Sequence, residues 1–191
     1  MGQSYAAIDE RLAGFIRAQH LFFVATAPSG ADGHVNISPK GLDTFRILDP
    51  RTVAYLDLTG SGVETIAHLR DNRRITLLFC ALTGPPKILR LHGHGDVIEP
   101  GHGEFAALAA EFPQYDSTRA IIRVELERIA DSCGYGVPLF RYEGERSQLL
   151  EWAQRRGPDG IRRYQAEKNA HSIDGLPGLR GIRPPAAPPR S

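Results

Sequence analysis

The chain has 191 residues, 41% of them hydrophobic and 24% charged, with a formal net charge of +1. That is enough for one domain with a sizeable core, and too short to demand two. The near-neutral balance excludes the broad basic field of a nucleic-acid binder, and the apolar runs stop short of the roughly 20 residues that a membrane helix needs.

In chain order, Ala6 to Gln19 reads as an amphipathic helix, with Ile8, Leu12, Phe15 and Ile16 on one stripe. Short β-type runs follow. His20 to Ala27 closes at Pro28-Ser-Gly-Ala-Asp-Gly33, a hairpin signal; His34 to Lys40 and Thr44 to Leu48 come next, the latter closed by Asp49-Pro50. Thr52 to Thr59 feeds the turn Thr59-Gly-Ser-Gly62, which opens a helix ending near Asp71-Asn72. Arg74 to Leu82 is apolar enough for a central strand. Lys87 to Glu99 is a longer one, whose Gly93 and Gly95 predict a bulge or bend. A helix is expected from Pro100 through Glu111. Ala120 to Ile129 alternates Ile122, Val124 and Leu126 against Arg123, Glu125 and Glu127, as a strand wet on one face does. Gln148 to Gln154 is helical, Gly157-Pro-Asp-Gly160 breaks it, and Ile161 to Ala170 resumes. Asp174 to Gly178 is a turn, and the proline-rich tail 180–191 is expected to be extended or disordered.

Strands at short spacing with few helices argue for an antiparallel barrel rather than βαβ units. The expected organisation is an N-terminal helix (1–19), a barrel (20–130), a C-terminal loop-and-helix extension (131–179) and the tail.

The turn at residues 59–62 is the most informative local feature. A strand-to-helix turn rich in glycine gathers unpaired backbone N–H groups at one spot, which suits an anion such as a phosphate. The same residues also read as a capping box, Ser61-x-x-Glu64, in which each side chain satisfies a donor at the helix start. Lys87 and Arg90 would add charge-assisted bonds if they faced that site, and rim salt bridges otherwise.

Other constellations are weaker. His92-Gly-His94 with His102 has no third ligand at a recognised metal spacing, and His171-Ser-Ile-Asp174 is too local for a catalytic triad. Gly93-His-Gly95 lacks the third glycine of a dinucleotide fingerprint. Cys80 and Cys133 form neither a CxxC motif nor a disulfide framework, and Cys80, inside Ile75 to Leu82, is expected to be a buried small hydrophobe. With no signal-peptide pattern at the N-terminus, the expected compartment is the reduced cytoplasm.

Three segments carry a resemblance. His34-Val-Asn-Ile-Ser-Pro-Lys-Gly41, the run Leu58-Thr-Gly-Ser-Gly-Val-Glu-Thr65 with Asn72-Arg-Arg-Ile75, and Lys87-Ile-Leu-Arg-Leu-His-Gly93 occur in the order found in the pyridoxamine 5′-phosphate oxidase-like superfamily of FMN-binding split barrels. The chain resembles a branch distinct from the vitamin B6 oxidases themselves. What the resemblance implies is a mainly β (α+β) fold with a six-stranded antiparallel split barrel, a homodimer with FMN at the interface, and a small-molecule substrate. It further implies that Lys40 pairs with the flavin phosphate, with Ser61, Thr65 and nearby N–H groups, including those of Gly60, adding hydrogen bonds. Ser38, Pro39, Leu58 and Thr59 would line the ribityl chain or the isoalloxazine edge. Where the B6 oxidases place Arg and Lys as phosphate ligands, this chain has Glu64 and Thr65, and where their second-strand motif begins with Arg it has Val35. Vitamin B6 oxidation is therefore not implied.

The resulting expectation is an FMN-dependent oxidoreductase with no obligatory side-chain acid or base. The alternatives are a deazaflavin-dependent reductase on the same fold, or a non-catalytic flavin- or haem-binding protein with His68, His92 or His94 as axial ligand. Tyr135, in Ser132-Cys-Gly-Tyr-Gly-Val-Pro138, is read either as part of a structural corner or as a residue packing near flavin or substrate.

Overall fold

The computed structural model describes residues 2–182. Eight strands form one antiparallel sheet: β1 (Ser4–Tyr5), β2 (Phe22–Thr26), β3 (Asn36–Lys40), β4 (Phe45–Asp49), β5 (Thr52–Leu58), β6 (Arg74–Cys80), β7 (Ile88–Ile98) and β8 (Thr118–Ser132). Four helices accompany them: α1 (Glu10–Arg17), α2 (Glu64–Asn72), α3 (Phe105–Ala109) and α4 (Gln148–Lys168). The strand order is β3-β2-β6-β7-β8-β5-β4, with β1 added to β8. The sheet curls without closing, so the fold is the expected split-barrel type with eight strands rather than six. β1 is two residues long and carries no alternation from which it could be read.

The core explains the curl. Phe22, Val24, Tyr55, Leu77, Leu89, Leu91, Val124 and Ile129 project to the inside with α1 and α2. β5 and the first part of β8, residues 119–122, are buried on both faces, because Ala54, Leu56 and Ile121 turn the other way, into a second cluster with Phe112. The alternation seen at 122–127 therefore holds only for the middle of β8.

Several local expectations are met. Gly157 breaks α4 with φ 62° and ψ 174°. The β7–β8 register shifts between His92 and Gly93, the bulge expected from that glycine. A Cβ at Gly93 would stand 2.0 Å from the Glu125 carbonyl oxygen, a backbone atom that cannot swing aside. Gly93→Ala is expected to destabilise the fold by about 2–3 kcal/mol, read as a lowered thermal midpoint. An unchanged midpoint would mean that the bulge can migrate.

Candidate functional site

The open edge of the sheet is bridged by charge. Asp57 on β5 is fully buried in a run that is otherwise apolar, so its carboxylate needs strong partners. Lys40 Nζ, from β3 at the far end of the strand order, donates to Oδ1 at 2.7 Å, and Arg119 Nε on β8 donates to Oδ2 at 2.9 Å. Burial alone would raise the Asp57 pKa, but the two cations outweigh it and hold it at about 2. With two cations against one carboxylate, the triad keeps one net positive charge.

Arg119 also donates through Nη1 to the carbonyl oxygen of Gly62 at 2.7 Å. Asn169, fully buried at the end of α4, donates from Nδ2 to the Gly60 carbonyl oxygen at 3.0 Å, and Gln165 Nε2 donates to Thr59 Oγ1 at 2.8 Å. The carbonyls of the 59–62 turn are thus tied back into the protein. A peptide plane with its C=O drawn one way aims the following N–H the other way. Among the described residues, none accepts from the backbone N–H of Ser61 or Val63.

The capping box is not formed. Val63 is the N-cap of α2, no side chain caps the helix, and Glu64 Oε1 instead accepts from the Ile173 N–H at 3.3 Å. Ser61 lies too early, two residues before the N-cap, to bond the first turn, so the helix start keeps its free donors.

Two hollows lie along the seam between β3 and the 59–64 turn. The smaller, about 580 Å³, takes in Ser61, Gly62 and Glu64 with His34, Asn36, Lys168 and His171. His34 is fixed there by Asp174, whose carboxylate accepts from the His34 N–H at 2.9 Å and lies 2.6 Å from Nδ1; that bond lowers the Asp174 pKa. The larger hollow, about 780 Å³, takes in Pro39, Lys40, Leu58, Thr59 and Gly60, with Phe23, Leu56, Cys80 and Leu82 as apolar wall.

Seven of the ten expected site residues therefore line one hollow or the other. Ser38 and Thr65 line neither, but Asn36 joins them: Ser38 Oγ donates to its Oδ1 at 3.2 Å, and its Nδ2 donates to Thr65 Oγ1 at 3.0 Å. Arg90 is placed elsewhere. It shares the outer face of the sheet with Pro39 through the register Pro39–Phe23–Leu78–Arg90, and bonds Ser132 Oγ at 3.0 Å. Lys40 lines the larger hollow with its ammonium already paired to Asp57.

Further expectations change. Cys80 points outward and is half-buried in the larger hollow, where burial raises its thiol pKa. Tyr135 is 82% exposed and lines neither hollow, and its loop is a corner closed by the Val137 N–H bond to the Gly134 carbonyl. His68 is fully buried with Nδ1 3.0 Å from Thr26 Oγ1, and burial lowers its pKa; His92 bonds Thr76, and His94 lies by Glu127. None of the three lines either hollow. Asp57 and Arg119 were missed, although an aspartate amid Val53 to Leu58 announces a buried partner. Gln165 and Asn169 gave no such signal, since their contact lies over 100 residues away.

An antiparallel split barrel with a donor-lined seam along its open edge defines the class, and comparison with known proteins gives the family. Residues 8–133 match the pyridoxamine 5′-phosphate oxidase family. The chain is 37% identical over 194 residues to the pyridoxamine 5′-phosphate oxidase family protein ustO of Aspergillus flavus, covering 92% of this chain and 77% of that one. Among solved structures, HupZ of Group A Streptococcus is similar, with TM-score 0.53 and 26% identity over 65% of this chain and 99% of that one. A Lactobacillus delbrueckii protein described as a candidate pyridoxamine 5′-phosphate oxidase shares the fold, with TM-score 0.52 and 19% identity over 66% and 98% of the two chains. The chain belongs to the pyridoxamine 5′-phosphate oxidase family. Among the described residues, no helix is long and apolar enough to cross a membrane.

Proposed function

We propose that this protein is an FMN-dependent oxidoreductase that moves a hydride or electron pair between the flavin and a small organic molecule. The observation carrying the reading is the 59–62 turn, whose Gly62 and Gly60 carbonyls are bound by Arg119 and Asn169 while, among the described residues, none accepts from the N–H of Ser61 or Val63. These N–H groups, with Ser61 Oγ, His34 and Lys168, would hold the phosphate. Pro39, Leu58 and Thr59 would line the ring system, beside the net positive charge of the Lys40–Asp57–Arg119 triad. Positive charge next to a flavin favours its reduced, anionic form. The donor set fits a flavin phosphate; the opposing charges are Glu64, which lines the same hollow and accepts from Ile173, and Asp174, held on His34.

A homodimer goes with this reading. Val35, just before β3, and Ile37 on β3 are 76% and 67% exposed, next to the outward Phe23, Ala25 and Leu78, an apolar face that a second copy would cover. Free thiols at Cys80 and Cys133 accord with a cytoplasmic setting.

The test is the absorption spectrum of the purified protein before and after FMN addition and desalting. Retained oxidised-flavin bands that bleach with a nicotinamide donor are the expected result. No retention at saturating FMN would overturn the reading, and a deazaflavin spectrum or a Soret band would replace it with one of the alternatives.

A further inference from the structure

The larger hollow carries features that flavin binding does not account for. Residues 139–147 have no regular secondary structure, yet they are pinned over its mouth. The Phe140 N–H donates to the Leu82 carbonyl at 2.8 Å. The Tyr142 ring stacks on His20, with centroids 3.6 Å apart and planes 4° apart. Glu145 accepts from the Leu42 N–H at 3.2 Å and from the Tyr142 hydroxyl at 2.9 Å.

This strap fixes the charge at the rim. Its one acid in the hollow, Glu145, is occupied by those two donors. Lys40 is matched by Asp57. Arg141 and Arg146 also line the hollow, and among the described residues neither has an ion-pair or hydrogen-bond partner. The wall below them is apolar: Phe23, Leu56, Leu82 and Phe140. An apolar body with a negative group at one end matches that arrangement, whereas a cation would meet two uncompensated guanidiniums.

We propose that the larger hollow binds a small amphipathic organic anion, an aromatic or branched carboxylate or sulfonate, with its charge on Arg141 and Arg146 and its body against Phe140 and the strand wall. As the substrate class of the flavin reaction this rests on the reading above; as a binding site it does not.

The test uses two fluorescent probes of similar body, anilinonaphthalene sulfonate and its uncharged relative N-phenyl-1-naphthylamine, titrated into the full chain with and without saturating FMN. The sulfonate is expected to bind saturably whether or not FMN is present. R141Q/R146Q is expected to weaken it about tenfold or more while changing the neutral probe by no more than about twofold, and Phe140→Ala is expected to weaken both. Equal sulfonate affinity in wild type and R141Q/R146Q would overturn the proposal. Because both arginines are exposed, the double variant keeps the fold. A chain that fails to retain FMN but passes the probe test would sink the flavin reading alone.

Discussion

Replacing Asp57 with alanine is expected to cost about 3–5 kcal/mol of stability and to lower the thermal midpoint by roughly 10 °C or more. The reason is the charge left behind. Arg119 is only 6% exposed and Lys40 is mostly covered, so removal of the carboxylate strands two cations at the open edge of the sheet. The loss is expected to be larger than from Lys40→Met, which leaves the Asp57–Arg119 pair whole. The triple replacement Lys40→Met, Asp57→Leu, Arg119→Met is expected to recover much of it, since it removes the charges together. A second signature is pH. The folded-state pKa of Asp57, about 2, lies below its ordinary 3.8. A depressed acid contributes stability that is present above the ordinary value and lost as pH falls through about 2. That contribution is about 2 kcal/mol. Denaturant midpoints measured from pH 5 down to pH 2 are expected to fall less steeply in Asp57→Ala than in the wild type. Parallel curves would mean that the carboxylate titrates normally and that the triad does not hold the barrel edge.

Much of this architecture is legible from local chemistry. The strands β2 to β8 follow from short apolar runs between turn residues, and the break at Gly157 and the bulge at Gly93 follow from glycine placed where the backbone needs it. What escapes is whatever depends on distant partners. The β1 pairing with β8 joins Ser4 to Ala130 and could not be read from two residues. Ser61 and Glu64 have the spacing of a capping box, but the turn runs two residues further before the helix begins, and Glu64 finds Ile173 instead. The pairing of Lys40 with Asp57 is equally hidden, because the cross-sheet position of Asp57 is a consequence of the curl. The barrel residues that line the two hollows were within reach of pattern reading. Those from α4 were not, since polar residues on a helix give no hint of which carbonyl they will meet.

The role of α4 is where the site and its support can be told apart. With FMN held at the seam as proposed, Asn169→Ala is expected to weaken its binding about tenfold or more, measured by quenching of flavin fluorescence, and to lower the thermal midpoint by several degrees. Asn169 is buried and links three segments at once. Its side chain holds the Gly60 carbonyl, its N–H bonds the Gln165 carbonyl, and its own carbonyl accepts from Leu179. Gly178 packs so closely that a Cβ there would stand 2.3 Å from the Asn169 carbonyl oxygen. Without the amide, the Gly60 carbonyl is free to turn toward the seam, where a carbonyl dipole opposes a phosphate just as the N–H of Ser61 attracts one. Affinity and stability are therefore both expected to fall, and the comparison with Gly178→Ala separates them. That variant disturbs the same packing while leaving the amide in place, so it is expected to lower the midpoint with a smaller loss of FMN affinity. Equal affinity losses at equal loss of stability in the two variants would reduce Asn169 to a packing residue. A selective loss in Asn169→Ala would show that the C-terminal extension sets the donor geometry of the turn.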